Sequence, residues 1–304
     1  MKKLPFARPA RAAAALLALG CLIARAQQPP AGAGAVAPQT AASASLNDAL
    51  MARATALYDS AVKTGLRSFN CQVHPDWKKI IESARNGAPE DSDAARAALL
   101  DAVKITLHDR LKGGSTLDWQ PPDASLPRTQ AVADMLDRAH RSIDSTLDGV
   151  LKLWTPLVDG SLAESLDEDG IDVQQTASGY LARSRDDTAE KSKDKQKSPA
   201  ASEGHSVSED FDQKLLLTHY TLVDAGSTAS LTPAFEPTPQ GLLISGFDAF
   251  LQPAGAPAAD ARQMHIAFTY QGVSGVQIPA SISVTLPGVV EMDFTLDGCT
   301  VNSR

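Results

Sequence analysis

The sequence predicts an α+β fold: a strongly curved antiparallel sheet covered by helices. Three observations predict it. Helical periodicity is concentrated in the first half of the chain, and from Gly170 onward only strand-like runs and turns follow. Val132, Met135, Leu136, Ala139, Ile143, Leu147, Val150, Leu151 and Trp154 recur at i, i+3, i+4, i+7 spacing with charged residues on the other face. That is a long amphipathic helix at about 127–155. Finally, Arg262–Tyr270 alternates, a Gly-rich turn follows, and Val276–Leu286 alternates again, as in an antiparallel hairpin.

The chain begins with features of a secretory leader. Lys2, Lys3, Arg8 and Arg11 precede an apolar run from Ala12 to Ala24, which is too short for a stable membrane helix. Ala24-Arg25-Ala26 then fits a cleavage site, so residues 1–26 read as a signal peptide cleaved near Ala26. The rival reading is lipidation at Cys21, although Ala18-Leu19-Gly20 lacks the usual Leu three positions before such a cysteine. No later segment approaches the ~18 consecutive apolar residues of a transmembrane span. Cleavage removes five basic and no acidic residues, moving the formal charge from −8 to −13. An acidic chain without a basic stripe is a poor partner for nucleic acid.

Residues 27–45, rich in Ala, Pro, Gly, Gln and Ser, read as a flexible tether. Residues 46–304 read as a single domain. Ser45 suits a helix cap, and Leu46, Leu50, Ala54, Leu57, Tyr58 and Ala61 keep helical spacing until Gly65. Arg67–Val73 reads as a strand, Pro75 opens a short helix through Ala84, and Asp91–Leu100 is a further helix. Val103, Ile105, Leu107 and Leu111 alternate with Lys104, Thr106, His108 and Arg110, so this strand buries one face. After the Gly113-Gly114 turn, Thr116–Gln120 returns as a strand carrying Trp119. Thr155-Pro156 closes the long helix.

Strands are then predicted at Ile171–Gln175, Tyr180–Arg185, Val207–Phe211, Lys214–Val223, Ser227–Phe235, Gly241–Gln252, Met264–Tyr270, Val276–Leu286 and Val289–Val301. Residues 186–204, rich in Asp, Lys, Ser and Ala, form a mobile charged loop in this reading. Two cysteines remain after cleavage, Cys71 and Cys299. In an oxidising compartment they read as a disulfide joining the two ends of the domain, the alternative being two unrelated buried thiols.

No catalytic motif is visible: the chain has no G-x-S-x-G, H-E-x-x-H, P-loop or C-x-x-C. Asp137, His140 and Asp144 have a spacing that metal sites use, but it serves helix-surface pairing equally well. Asp167-Glu-Asp-Gly-Ile-Asp172 hints at a calcium loop, yet its Gly comes early and position 178 is Ser, so a polar turn explains it. The expectation is a protein with no catalytic residues, no metal and no cofactor.

One resemblance accompanies this reading. Tyr270, Val273, Gly275, Ile278 and Pro279 at the last turn, with the closing Val301-Asn302, resemble the carboxy-terminal strands of the periplasmic lipoprotein-carrier superfamily (LolA/LolB-like). The opening from Leu57 to Phe69 is similar to the helix-into-first-strand start of such domains. The resemblance implies a half-open barrel with helices across its mouth and a hydrophobic cavity for acyl chains. The chain departs from it in length, in the loop 186–204 and in the Cys71/Cys299 pair.

Two functions are expected from this. The first is a non-catalytic cell-envelope protein that binds a lipid acyl chain or another apolar ligand between sheet and helix. Its candidate lining residues are Val103, Ile105, Leu107, Trp119, Leu136, Ile143, Leu147 and Trp154. The second is an envelope interaction or structural protein with a filled core, whose tether and loop meet protein partners.

Overall fold

The structure is a computed structural model, and it describes residues 41–85, 91–111, 113–121, 129–159, 171–184, 206–224, 227–257 and 260–303. The leader 1–26, Cys21, the calcium-like residues Asp167–Gly170 and the charged loop 186–204 lie outside those residues, as does the tether up to position 40.

The helices are α1 (Ala41–Leu57), α2 (Ala61–Thr64), α3 (Trp77–Ser83), α4 (Asp91–Asp101) and α5 (Gln130–Asp159). The strands of the first half are β1 (Leu66–Pro75), β2 (Lys104–Arg110) and β3 (Gly114–Gln120). The second half supplies β4 (Ile171–Gln175), β5 (Gly179–Ser184), β6 (Ser206–Asp212), β7 (Leu217–Asp224), β8 (Ser227–Thr238) and β9 (Gly241–Gln252). It ends with β10 (Arg262–Val273), β11 (Val276–Leu286) and β12 (Val290–Ser303). The protein is therefore mixed α+β. Its 12-stranded sheet runs β3-β2-β1-β12-β11-β10-β9-β8-β7-β6-β5-β4 and is open, with β3 and β4 as its end strands. Strands β4 to β12 follow chain order, because short hairpins favour pairing neighbours in sequence, and the early strand β1 docks beside the last one, β12.

The chain divides into two compact units. Among the described residues, one comprises 67–153 and 268–303, the other 41–66 and 154–267. In the first unit, β1 and β2 pair with Phe69 opposite Asp109 and Cys71 opposite Leu107. Alternation puts Phe69, Cys71, Val73, Ile105 and Leu107 in the buried phase. The expected disulfide is present: Cys71 and Cys299 are bonded, with Cα atoms 4.2 Å apart, close to the spacing of a directly opposed cross-strand pair. Helix α3 starts at Asp76, whose carboxylate accepts from Lys79 N at 2.9 Å. It is fastened to β12 by Lys79 Nζ–Asp293 at 2.7 Å and by reciprocal bonds between Ser83 and the Glu291 backbone. The β10–β11 turn places Ser274 and Gly275 at φ 52° and 84°, the pair of positive values that a tight two-residue hairpin demands.

The second unit holds β4–β9, the start of β10 and α1–α2. Here the chain departs from the periodicity in its sequence. Spacing alone carries one helix from Leu46 through Ala61, but α1 ends at Leu57 and Tyr58 makes a parallel bridge to Leu242. Asp59 N donates to Leu242 O at 2.9 Å, and the Tyr58 hydroxyl donates to Leu215 O at 3.0 Å while accepting from Leu217 N at 2.7 Å. These tertiary bonds outweigh helix continuation. Gly241 permits the approach: at φ 142° its missing Cβ would lie 2.7 Å from the Tyr58 carbonyl carbon.

Several boundaries also differ from the sequence reading, three of them for visible reasons or with visible effect. Helix α1 already includes Ala41–Ser45, assigned above to the tether. Strand β7 begins at Leu217 rather than Lys214, because Asp212 Oδ1 accepts from Lys214 N and Leu216 N and folds those residues into a turn with Leu215 at φ 70°. Helix α5 continues through Pro156 to Asp159, and the turn after Pro156 buries Leu157 and Val158.

Candidate functional site

In the first unit, α5 begins after Thr129, whose backbone and side-chain oxygens receive Val132 N. Its row His140, Asp144, Asp148 and Lys152 repeats every fourth residue, on one side of the helix. His140 stacks on Trp119 of β3 with ring centroids 4.9 Å apart, and Asp148 accepts from Ser115 of β3 at 3.3 Å. Lys152 holds the other Asp148 oxygen at 2.7 Å. Thr146 reaches Met292 of β12. The helix therefore touches both β3 and β12 through named side chains.

Of the eight proposed lining residues, seven belong to this unit. Ile105, Leu107, Ile143 and Leu147 retain only 0–1 % of their surface. A side chain bordering a water-sized void keeps accessible area, so these four are packed against protein atoms. Val103, in the bend before β2, is also buried, while Trp119 and Leu136 are half-buried. Trp154, in the other unit, is buried too. The strand candidates Ile105 and Leu107 and the helix candidates Ile143 and Leu147 are thus part of the buried apolar layer of the first unit, while Trp119 and Leu136 keep part of their surface.

Asp109 is the anomaly in that layer. It occupies the buried phase of β2, opposite Phe69 on β1 and Ser115 on β3, and is 2 % exposed. Its Oδ2 has no hydrogen-bond partner among the described residues. Burial, and then the charge of Asp148, push its carboxyl up to about 7. Asp144 is shifted upward as well, first by burial. Pattern reading passed over Asp109, but the signal was present: the apolar series 103, 105, 107, 111 skips one position, and that position is a carboxylate.

The opposite face of β1–β3 is polar. Ser68, Asn70, His108, Arg110 and Thr116 line an open cleft of about 560 Å³ with the Gly113-Gly114 turn, and Asp109 borders it as well although the residue is only 2 % exposed. His108 lies 2.8 Å from Asn70 Oδ1 and 3.2 Å from Asp118 Oδ2. His74–Asp297 and His265–Asp248 are two further exposed pairs. The three spaced residues weighed for a metal do not converge: Asp137 pairs with Arg141, and His140 stacks on Trp119. Among the described residues no group of three His, Cys, Asp or Glu side chains is arranged to hold a metal ion. No described helix is long and apolar enough to cross a membrane.

No family model, curated protein or solved structure matches this chain.

Proposed function

We propose that the protein is a non-catalytic cell-envelope protein that acts by interaction, with a filled core between α5 and the strands of its own unit. The observation that supports this reading is the near-complete burial of Ile105, Leu107, Ile143 and Leu147, four of the eight residues that would line a cavity. The Cys71–Cys299 bond fits an oxidising compartment, in keeping with export after cleavage near Ala26 or with lipidation at Cys21. On this reading the segments 27–45 and 186–204 meet protein partners.

A second reading is favoured by a specific observation. Asp109 sits without a partner for Oδ2 beneath α5, a weak point in an otherwise apolar seat. A helix seated over such a group is a candidate to move aside for an apolar ligand such as a lipid acyl chain. In that case the open sheet acts as a half-open barrel covered by helices, as the lipoprotein-carrier resemblance implies, and affinity comes from burial at about 0.8 kcal/mol per methylene.

Native mass spectrometry of the exported protein, followed by solvent extraction, separates the two. The filled-core reading expects the bare polypeptide mass with its disulfide intact. A stoichiometric lipid that disappears in a folded Leu147→Asp variant would overturn it in favour of the carrier.

A further inference from the structure

We propose that the contact between α5 and the β2–β3 hairpin is a proton-controlled latch: with Asp109 protonated the helix stays seated, and with Asp109 ionised this part of the unit opens and bares its apolar layer. The proposal holds whichever of the two functions is correct.

The geometry supplies the argument. Asp109 lies in the buried phase of β2, between Phe69 and Ser115 in register, and α5 bonds to Ser115 itself through Asp148 and reaches Met292 of β12 through Thr146. A neutral carboxyl is tolerable there, because its charge need not be solvated. An ionised one needs compensating donors or a cation, and Oδ2 has none among the described residues. The α5 charge that acts on Asp109 is of the wrong sign: it is Asp148, which already receives Ser115 on one oxygen and Lys152 on the other. Lys152 is thus engaged with Asp148. Asp144 and His140 continue the same row of α5. On β3 the residue opposite Asp109 is uncharged Ser115, and on β1 it is Phe69. On its own strand, His108 and Arg110 belong to the opposite, solvent-facing side, where both line the polar cleft.

Among the described residues that leaves water as the source of solvation; Asp109 borders the polar cleft but is only 2 % exposed, so solvating its carboxylate requires the layer to separate. β3 is an end strand of the sheet, so the β2–β3 hairpin has one free edge and is the part that can part from α5 at least cost. The upward displacement of the Asp109 carboxyl, to about 7, puts the change within the range of envelope pH.

Two measurements on the full disulfide-bonded chain test this. The first is hydrogen exchange at pH 5.5 and pH 8.5, corrected for intrinsic base catalysis. Amides of β2 and of α5 from Ser142 to Leu153 are expected to lose protection by at least tenfold at the higher pH, while those of β8 and β9 hold theirs. The second is binding of the probe 1-anilinonaphthalene-8-sulfonate over the same range. It should rise several-fold in the wild type with a midpoint near 7, stay flat in Asp109→Asn, and still rise in His140→Gln, which removes the imidazole from the same row. Unchanged protection of β2 and α5 in the wild type overturns the proposal without recourse to any variant. So does a probe response that survives in Asp109→Asn, or one abolished by His140→Gln alone.

Discussion

Tyr58 and Asp109 bury polar oxygens in different units and meet opposite fates. The Tyr58 hydroxyl donates to Leu215 O and accepts from Leu217 N, so both of its hydrogen-bonding roles are filled by backbone groups from one turn. Burial pushes its ionisation far above the ordinary tyrosine range, so it stays neutral at any physiological pH. Asp109 is equally inaccessible, but its Oδ2 is unpartnered and its ionisation falls near neutrality. A satisfied buried group fixes one arrangement of the chain. An unsatisfied ionisable one makes its surroundings conditional on the solution.

The sharpest way to break the contrast is through the layer around Asp109. Leu147→Ala removes a fully buried side chain of α5 in the same unit and is expected to cost about 2–5 kcal/mol in a urea melt. A loss under 1 kcal/mol would mean that the layer is looser than its packing indicates. Asp109→Asn tests the carboxylate itself. Its carboxyl is raised from 3.8 in the folded state, so the native protein binds more protons than the unfolded chain, and stability falls as pH rises from about 4 to 7. The penalty is absent below that window and complete above it. The variant should therefore be more stable than wild type at pH 8, on the order of 2–4 kcal/mol less whatever the new amide costs, and should show no advantage at pH 4. Parallel stability curves for the two proteins across that window would remove Asp109 from consideration.

Tyr58→Phe probes the other side of the comparison. It strands Leu215 O and Leu217 N and should cost about 1–3 kcal/mol, independent of pH between 5 and 8. A pH-dependent loss there would dissolve the distinction. The smallest effect belongs to Lys79→Ala. Burial raises the Asp293 carboxyl, but hydrogen bonds from Lys79 and Ser283 prevail and hold it below its ordinary value. Because both Lys79 and Asp293 are more than a third exposed, the expected loss is below about 1 kcal/mol and shrinks further in salt.

Much of the fold was legible because period and punctuation are local. The hairpin at Ser274-Gly275, the alternation of β2 and β10–β12, and the helical spacing of Ile143, Leu147 and Val150 all report which face is buried without knowledge of the partner. What escaped is non-local or is decided by a single bond. Nothing in Leu57-Tyr58-Asp59 says that Leu242 will capture the backbone and end α1 there. The turn at Asp212–Leu215 hides in a strand-like run until its carboxylate caps two amides. For the candidate site, the pattern identified a continuous apolar layer but could not say whether it was open, because closeness of packing depends on how side chains from separate elements interlock. It also passed over Asp109, since an alternating run reads as amphipathic even with one acid in the buried phase.

The pairing of β1 with β12 has a consequence for biogenesis. Cys71 emerges from the ribosome, and through any export channel, 228 residues ahead of the thiol it joins. The β1 edge that pairs with β12 must wait until nearly the whole polypeptide has been made, even though β2, β3 and α5 are already at hand. Hairpins β4 through β9 have no such wait, since each finds its neighbour within a few dozen residues. Assembly of this chain is thus gated by its tail, and the interval before the tail arrives is when a holding chaperone matters most.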